Sequence, residues 1–177
     1  MNQSPPRKIE QDQLPLRAGV GIVLVNRAGL VWVGHRRPGW YPSDPAPIWQ
    51  MPQGGISDGE DPLEAALREL YEETNVQSVE VIGVTDGWLV YEVPTHALGL
   101  AMKGRYRGQR QRWFAMRFTG DDAEIDITGT SNGHKAEFQA WRWARADDIL
   151  SSTVDHKRDV YAAAFNEFSD HLARTIA

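Results

Sequence analysis

The segment from Asp61 to Thr74 constrains this chain more than any other, because it must be a helix and its charges must be answered. Asp61, Pro62 and Glu64 form a helix start: a capping acid, proline at the first helical position and glutamate three residues after the cap. The spacing predicts a helix to about Thr74. On a wheel of about 100° per residue, Glu69, Glu72 and Glu73 share a sector of roughly 100°. Leu63, Leu67 and Leu70 centre roughly 130° away, which predicts a core face beside the acidic one. Three like charges at this spacing repel, costing a few tenths of a kcal/mol per pair in an isolated helix (about 0.2–0.5). A divalent cation of the Mg²⁺ or Mn²⁺ kind, which prefers hard carboxylate oxygens, would offset that repulsion. Taken alone, such a stripe reads as a solvated face with Arg68 pairing to Glu72 one turn on. Upstream, however, Met51-Pro52-Gln53-Gly54-Gly55-Ile56 delivers a glycine turn to the helix, and Gly54 can bring a bare backbone carbonyl close to it.

Strand signals flank this helix. Ala18 to Val25 and Leu30 to Gly34, joined by Asn26-Arg27-Ala28-Gly29, predict a hairpin. Val79 to Thr85, Trp88 to Val93, Gln111 to Phe118 and Phe138 to Trp143 predict further strands. A second helix is expected from about His156 to Ala173, with Val160, Ala163, Ala164, Phe168 and Leu172 at helical spacing. Pro38 to Pro47 reads as a loop and residues 1–15 as a mobile, proline-punctuated arm, leaving 16–177 as a single domain. Strands on both sides of one helix, closed by another, describe a mixed α/β layer fold.

Charge is segregated. The net charge is −5, yet residues 58–80 carry eight acids against Arg68 alone, whereas residues 93–120 carry Lys103, Arg105, Arg107, Arg110, Arg112 and Arg117 and no acid. One segment suits metal cations and the other phosphates. The chain has 177 residues and no cysteine, which excludes thiolate catalysis and disulfide scaffolds. With no signal-peptide pattern and no apolar run of membrane-spanning length, a cytoplasmic protein without membrane partners is expected. His35, His96, His134 and His171 lack paired ligand spacing, so no zinc site is expected. Gly19-x-Gly21 reads as strand packing, and Trp88, Trp113, Trp141 and Trp143 are expected to pack between layers.

Residues 54–76, G-G-I-S-D-G-E-D-P-L-E-A-A-L-R-E-L-Y-E-E-T-N-V, resemble the Nudix box, G-x5-E-x7-R-E-U-x-E-E-x-G-U with U apolar. Gly54, Glu60, Arg68, Glu69, Leu70, Glu72, Glu73 and Val76 fall in register; Asn75 stands where the family has glycine. Asparagine is the next-best residue for a left-handed helix end, so the turn is expected to survive. The runs W-Q-M-P-Q-G-G-I, G-Q-R-Q-R-W-F, A-E-F-Q-A-W-R-W and H-K-R-D-V-Y are similar to the subfamily of bacterial RNA 5′-pyrophosphohydrolases and diadenosine polyphosphate hydrolases.

That resemblance implies a Nudix fold, a mixed sheet between helices (α/β/α), and Mg²⁺-dependent hydrolysis of phosphoanhydride bonds, with Mn²⁺ or another divalent cation able to substitute. It implies metal held by Glu69, Glu72, Glu73, Glu137 and the Gly54 carbonyl, with Glu73 and Glu137 as alternative general bases. Arg37 would meet the phosphate chain, and Arg17, Tyr91 and Gln109 would line the substrate groove. Lys157 would reach the phosphates. His156 stands where RNA-acting relatives carry an aromatic that stacks a base, a task imidazole performs over a smaller face. Glu60 and Arg68 would orient the loop and the helix. The implied substrate is 5′-triphosphorylated or diphosphorylated RNA, with diadenosine tetraphosphate and similar dinucleotides as the alternative and a non-hydrolysing nucleotide-binding module as a third reading. DNA is not an expected partner.

Overall fold

The computed structural model describes residues 13–37, 49–94 and 104–173. The amino-terminal residues 1–12, the proline-rich loop, His96 and Lys103 lie outside the described residues. In chain order the elements are β1 (Leu16–Val25), β2 (Val31–Arg36), β3 (Trp49–Gln50), β4 (Gln53–Gly55), α1 (Pro62–Thr74), β5 (Val79–Val84), β6 (Leu89–Glu92), β7 (Gly108–Phe118), β8 (Phe138–Ala144), α2 (Ala146–Ser152) and α3 (Asp155–Glu167).

A single mixed sheet runs β3-β2-β1-β7-β5, with β4 on β1, β6 on β7 and β8 on β2. Its spine is the parallel pair β1 and β7, in register from Leu16 opposite Gly108 to Val25 opposite Arg117. β1 is apolar on both faces because both are covered. Val20, Ile22 and Leu24 pack with Ala65, Ala66 and Leu70 of α1 on one side. Val23 and Val25 pack with Val160, Tyr161, Ala164 and Phe165 of α3 on the other. The expected sheet between helices is therefore present. The hairpin forms too: the Asn26 side chain accepts from the amides of Ala28 and Leu30, each at 3.0 Å. Gly21 is strand packing, since a Cβ there would overlap the Trp113 indole.

Four readings need correction. First, α1 is rolled by roughly 60° about its axis, towards the acidic stripe, relative to the leucine-centred face. Its buried residues are Ala65, Ala66, Leu70, Glu73 and Thr74, while Leu67 is 38% exposed. The small alanines let the helix lie close to β1 and β4, which the leucine stripe would hold off. Second, Gly54 and Gly55 belong to β4, paired with Val20 and Gly19, so the expected turn is a strand end. Third, α3 stops at Glu167, six residues before the expected Ala173. Phe168 is buried and the chain then turns so that the Ala173 amide donates to Gly29 O at 2.8 Å, a contact a straight helix would miss. Fourth, Trp88 is exposed and precedes its strand, whereas Trp113 is wholly buried. The seven-residue helix α2 gave no periodic signal at all.

The ends of α1 follow the chemistry of their residues. Asp61 accepts from the Leu63 amide at 2.8 Å and the Glu64 amide at 3.4 Å. Asn75 adopts a left-handed φ of 65°, and its side-chain amide donates to Glu124 O at 3.0 Å, an anchor glycine could not supply. Asn75→Val should lower the free energy of unfolding in urea by about 1–2 kcal/mol, the cost of the left-handed backbone. Asn75→Gly should cost less than Asn75→Val, because glycine keeps the conformation.

Candidate active site

The roll of α1 sends its glutamates to different places. Glu69 lies over β4: a Cβ at Gly54 would overlap its carboxyl group, so only glycine lets helix and strand approach this closely. Glu73 is 6% exposed and accepts from the Gln53 amide at 3.1 Å. Glu72 stays at the rim, 3.9 Å from His134 Nδ1. Burial, then the nearby charges of Glu137 and Glu69, pushes the Glu73 carboxyl well above the usual carboxylate range. Burial also raises Glu69, against the opposing pull of Arg68.

Arg68 binds the loop to the helix. Its Nε and Nη2 donate to the two oxygens of Glu60 at 2.7 and 2.9 Å. Nη2 also donates to Gly55 O at 2.8 Å, and Nη1 reaches Glu69 at 2.7 Å and Glu72 at 3.4 Å. Glu60 in turn accepts from the Ser57 amide at 2.8 Å. One planar guanidinium thus ties the strand end, the loop and the helix together through charge-assisted bonds.

Glu137 arrives from 63 positions beyond the end of α1 because the loop before β8 is pinned to that helix. Asn132 donates to Tyr71 O at 2.7 Å and to Glu72 O at 3.4 Å, satisfying carbonyls at the helix end. The ladder between β2 and β8 shifts between His35 and Arg36, and Arg37 N then donates to Glu137 O at 3.0 Å. Arg36, which sequence reasoning passed over, enters the cluster: its Nη2 lies 3.4 Å from Glu137 Oε2 and its Nη1 donates to Gln50 at 3.3 Å. Arg37 instead donates through Nε to Phe138 O at 3.1 Å. No periodicity reveals a ladder shift, so nothing in the sequence singled out Arg36 over Arg37.

On the α3 side, Lys157 is buried, donates to Gln50 Oε1 at 3.3 Å and sits 5.6 Å from the Tyr91 ring centroid. Burial, helped by Arg36 and opposed by Glu73 and Glu137, lowers its ammonium to about 7. His156 lies 5.7 Å from Tyr91, ring to ring. Tyr91 faces Gln109 across the β6–β7 ladder. Gln109 accepts from Gln111 at 2.9 Å. A Cβ at Gly19 would stand 2.7 Å from Gly54 O and 3.0 Å from Gln109 Oε1, so the bare Gly19 keeps that carbonyl and that amide together. Arg17 folds its guanidinium over Gly55. Gln50 and Tyr161 are also part of the site and carried no sequence signal. Gln50 accepts from both Arg36 and Lys157; the Tyr161 hydroxyl accepts from Met51 N at 3.2 Å.

The donor set is of the kind a hard divalent cation prefers, carboxylate and carbonyl oxygens, with Glu69 and Glu73 raised by burial and by neighbouring negative charge and Glu72 and Glu137 part-exposed at the rim. Among the described residues no three acids or imidazoles stand close enough to hold one ion as they are. Instead Arg68 engages Glu69 and Glu72, and Arg36 engages Glu137.

A NUDIX domain model matches residues 15–164. The chain is 51% identical over 158 residues to an RNA pyrophosphohydrolase of Rhodopseudomonas palustris strain BisB18, covering 89% of this chain and 90% of the relative. It is 50% identical over 165 residues to an RNA pyrophosphohydrolase of Rhizobium meliloti strain 1021, covering 92% and 98%. Among solved structures, the E. coli dihydroneopterin triphosphate pyrophosphohydrolase aligns with a TM-score of 0.65 at 20% identity, over 87% of this chain and 97% of that one. A C. elegans Ap4A hydrolase aligns with a TM-score of 0.60 at 20% identity, over 88% and 98%. These two share the fold.

The Glu60–Arg68 pair makes a pH-dependent prediction. The Arg68 hydrogen bond, with that of the Ser57 amide, holds the Glu60 carboxyl at about 2, below the ordinary 4.5. A depressed folded-state pKa gives stability that is complete above the ordinary value and is lost as pH falls through the folded one. Glu60→Gln should lower stability at neutral pH by about 1 kcal/mol. In urea melts, its deficit relative to the wild type should shrink as pH falls from 4.5 towards 2.

Proposed function

We propose, from the premise that this chain belongs to the Nudix hydrolase family, that it hydrolyses the 5′ phosphoanhydride of triphosphorylated or diphosphorylated RNA to leave a 5′-monophosphate. It is a pyrophosphohydrolase. The carrying observation is the identity of about half of all positions, across nearly the full length of both chains, with proteins named RNA pyrophosphohydrolase. The geometry supports the same reading through the buried carboxylates set against buried cations.

Glu69, Glu72, Glu73, Glu137 and the Gly54 carbonyl would hold a divalent cation, Mg²⁺ in this reading, which supplies charge neutralisation at the phosphate oxygens and a more acidic bound water. The chain's own groups do the rest. Glu73, whose carboxylate is held in place by the Gln53 amide, is suited to take a proton from the attacking water at its carboxylate oxygen. Glu137 is the alternative base. Lys157 carries a labile charge near neutrality, and a phosphate beside it would hold that proton in place. Arg36 and Arg37 offer forked donors to the phosphate chain once it competes with their present acceptors. Tyr91, His156, Gln109 and Arg17 would line the groove for the first nucleotide; Tyr91 and Gln109 are buried, so the half-buried His156 imidazole beside Tyr91 offers the stacking face. Among the described residues no helix is long and apolar enough to cross a membrane.

Two measurements test this. Glu73→Gln keeps an oxygen for the Gln53 amide but cannot accept the proton, so kcat at saturating Mg²⁺ should fall by about 10²-fold or more. Near-normal turnover would remove Glu73 from its role. kcat/KM on triphosphorylated RNA, measured beside diadenosine tetraphosphate under one Mg²⁺ condition, should favour the RNA. A ratio strongly favouring the dinucleotide would assign the site to dinucleoside polyphosphates.

A further inference from the structure

On the far side of β6 from Tyr91, the turn Thr85–Gly87 is held more firmly than an ordinary connection needs. Thr85 is wholly buried. Its amide donates to Trp113 O at 2.9 Å, and its hydroxyl accepts from the Trp113 amide at 3.1 Å and donates to Gly87 O at 2.9 Å. The Asp86 amide donates to Glu167 at 3.0 Å, and Arg112 reaches Asp86 O at 3.4 Å. This buttressed turn presents Trp88, which is 39% exposed, with the Arg110 guanidinium carbon 5.0 Å from its ring centroid. With the exposed Val84 and Val90, this indole makes an apolar patch on a rigid mount, which marks a contact surface.

The charge around it selects the partner. Arg107 and Arg117, before and within β7, are paired with Glu92 and Glu80. Arg110 and Arg112 have no carboxylate partner among the described residues: one stacks on Trp88 and the other meets a backbone carbonyl. Trp88 and Arg112 line an open groove of about 330 Å³ with Val84 and Leu63. Asp61 also lines it, but its carboxylate is committed to the helix cap. An exposed ring, a guanidinium stacked on it and a second unneutralised arginine are the elements by which proteins hold single-stranded nucleic acid: π-faces for bases, cations for the backbone.

Its place suits the assigned substrate. Val90 is opposite Arg110 one step from the Tyr91–Gln109 pair, on the other face of the sheet. β6 is an edge strand of four residues. Trp88 lies three residues from Tyr91, roughly 10 Å along the strand, and on the opposite face, so an RNA reaching both must pass the β6 edge.

We propose that Trp88 and Arg110 form a stacking platform for an RNA base downstream of the 5′ end, with Arg112 taking a backbone phosphate after the strand has crossed the β6 edge. The inference rests on the RNA reading of the active site and extends it.

The test compares the wild type with Trp88→Ala, Trp88→Phe and Arg112→Ala on a triphosphorylated dinucleotide and on a triphosphorylated single-stranded 12-mer, at two salt concentrations. Trp88→Ala should lower kcat/KM on the 12-mer by about 5- to 10-fold, through KM, with little change on the dinucleotide. Trp88→Phe should recover most of the loss, and Arg112→Ala should weaken the salt dependence on the 12-mer alone. Unchanged kinetics on the 12-mer, or equal losses on both RNAs in a variant of unaltered melting temperature, would overturn the platform. So would unaltered RNA kinetics with a change of sedimenting mass, which would make this face a contact between copies of the chain. A wild type that hydrolyses diadenosine tetraphosphate but neither RNA would overturn the underlying substrate reading as well, and is told apart by the wild-type data alone.

Discussion

The site depends on one guanidinium. Arg68 takes both oxygens of Glu60, the Gly55 carbonyl and the carboxylates of Glu69 and Glu72, and so joins a strand end, a loop and a helix at one point, adding to the β4–β1 ladder and the packing of α1 on β1. Its effect is not mainly one of global stability, since partly exposed ion pairs contribute little. It sets position. Held in this way, α1 lies close enough to β4 for Glu69 to occupy the space a side chain at Gly54 would fill. The same arginine also meets two of the carboxylates proposed to hold metal, so the free site already has a cation among its acids.

Close approach then produces the electrostatics. Rolling α1 so that its alanines face the sheet turns Glu73 inwards with them, and burial raises its proton affinity. Lys157, buried on the α3 side, shifts the opposite way for the same reason. Desolvation thus raises the acid and lowers the base, each within electrostatic reach of the other. Gln50 lies between the cations and accepts from both Arg36 and Lys157. The charged substrate and metal of the proposed reaction would engage this same cluster.

Much of this was legible in the sequence, and the failures have physical causes. The cap at Asp61, the left-handed Asn75 and the strands flanking α1 follow from local chemistry, so they could be read locally. The leucine stripe misled because side-chain size, not hydrophobicity alone, decides which face approaches a sheet: Ala65 and Ala66 fit where Leu67 does not. Arg36 was missed because its neighbour Arg37 has the same chemistry and only a ladder shift separates them. Trp88 was expected inside and is outside, held there by a turn whose hydrogen bonds link residues 28 positions apart.

The sequence by itself determined the family, the acidic helix and its caps, and the residue types proposed to bind metal and phosphate, because these are written in short spacings and one specific motif. Tertiary structure decided how deep each glutamate sits, which of two adjacent arginines joins the cluster, and that a part-exposed indole on the opposite face lies beside two arginines without a carboxylate partner among the described residues. Those outcomes come from helix roll, ladder shifts and long-range hydrogen bonds. They are properties of packing between segments, and no single segment carries them.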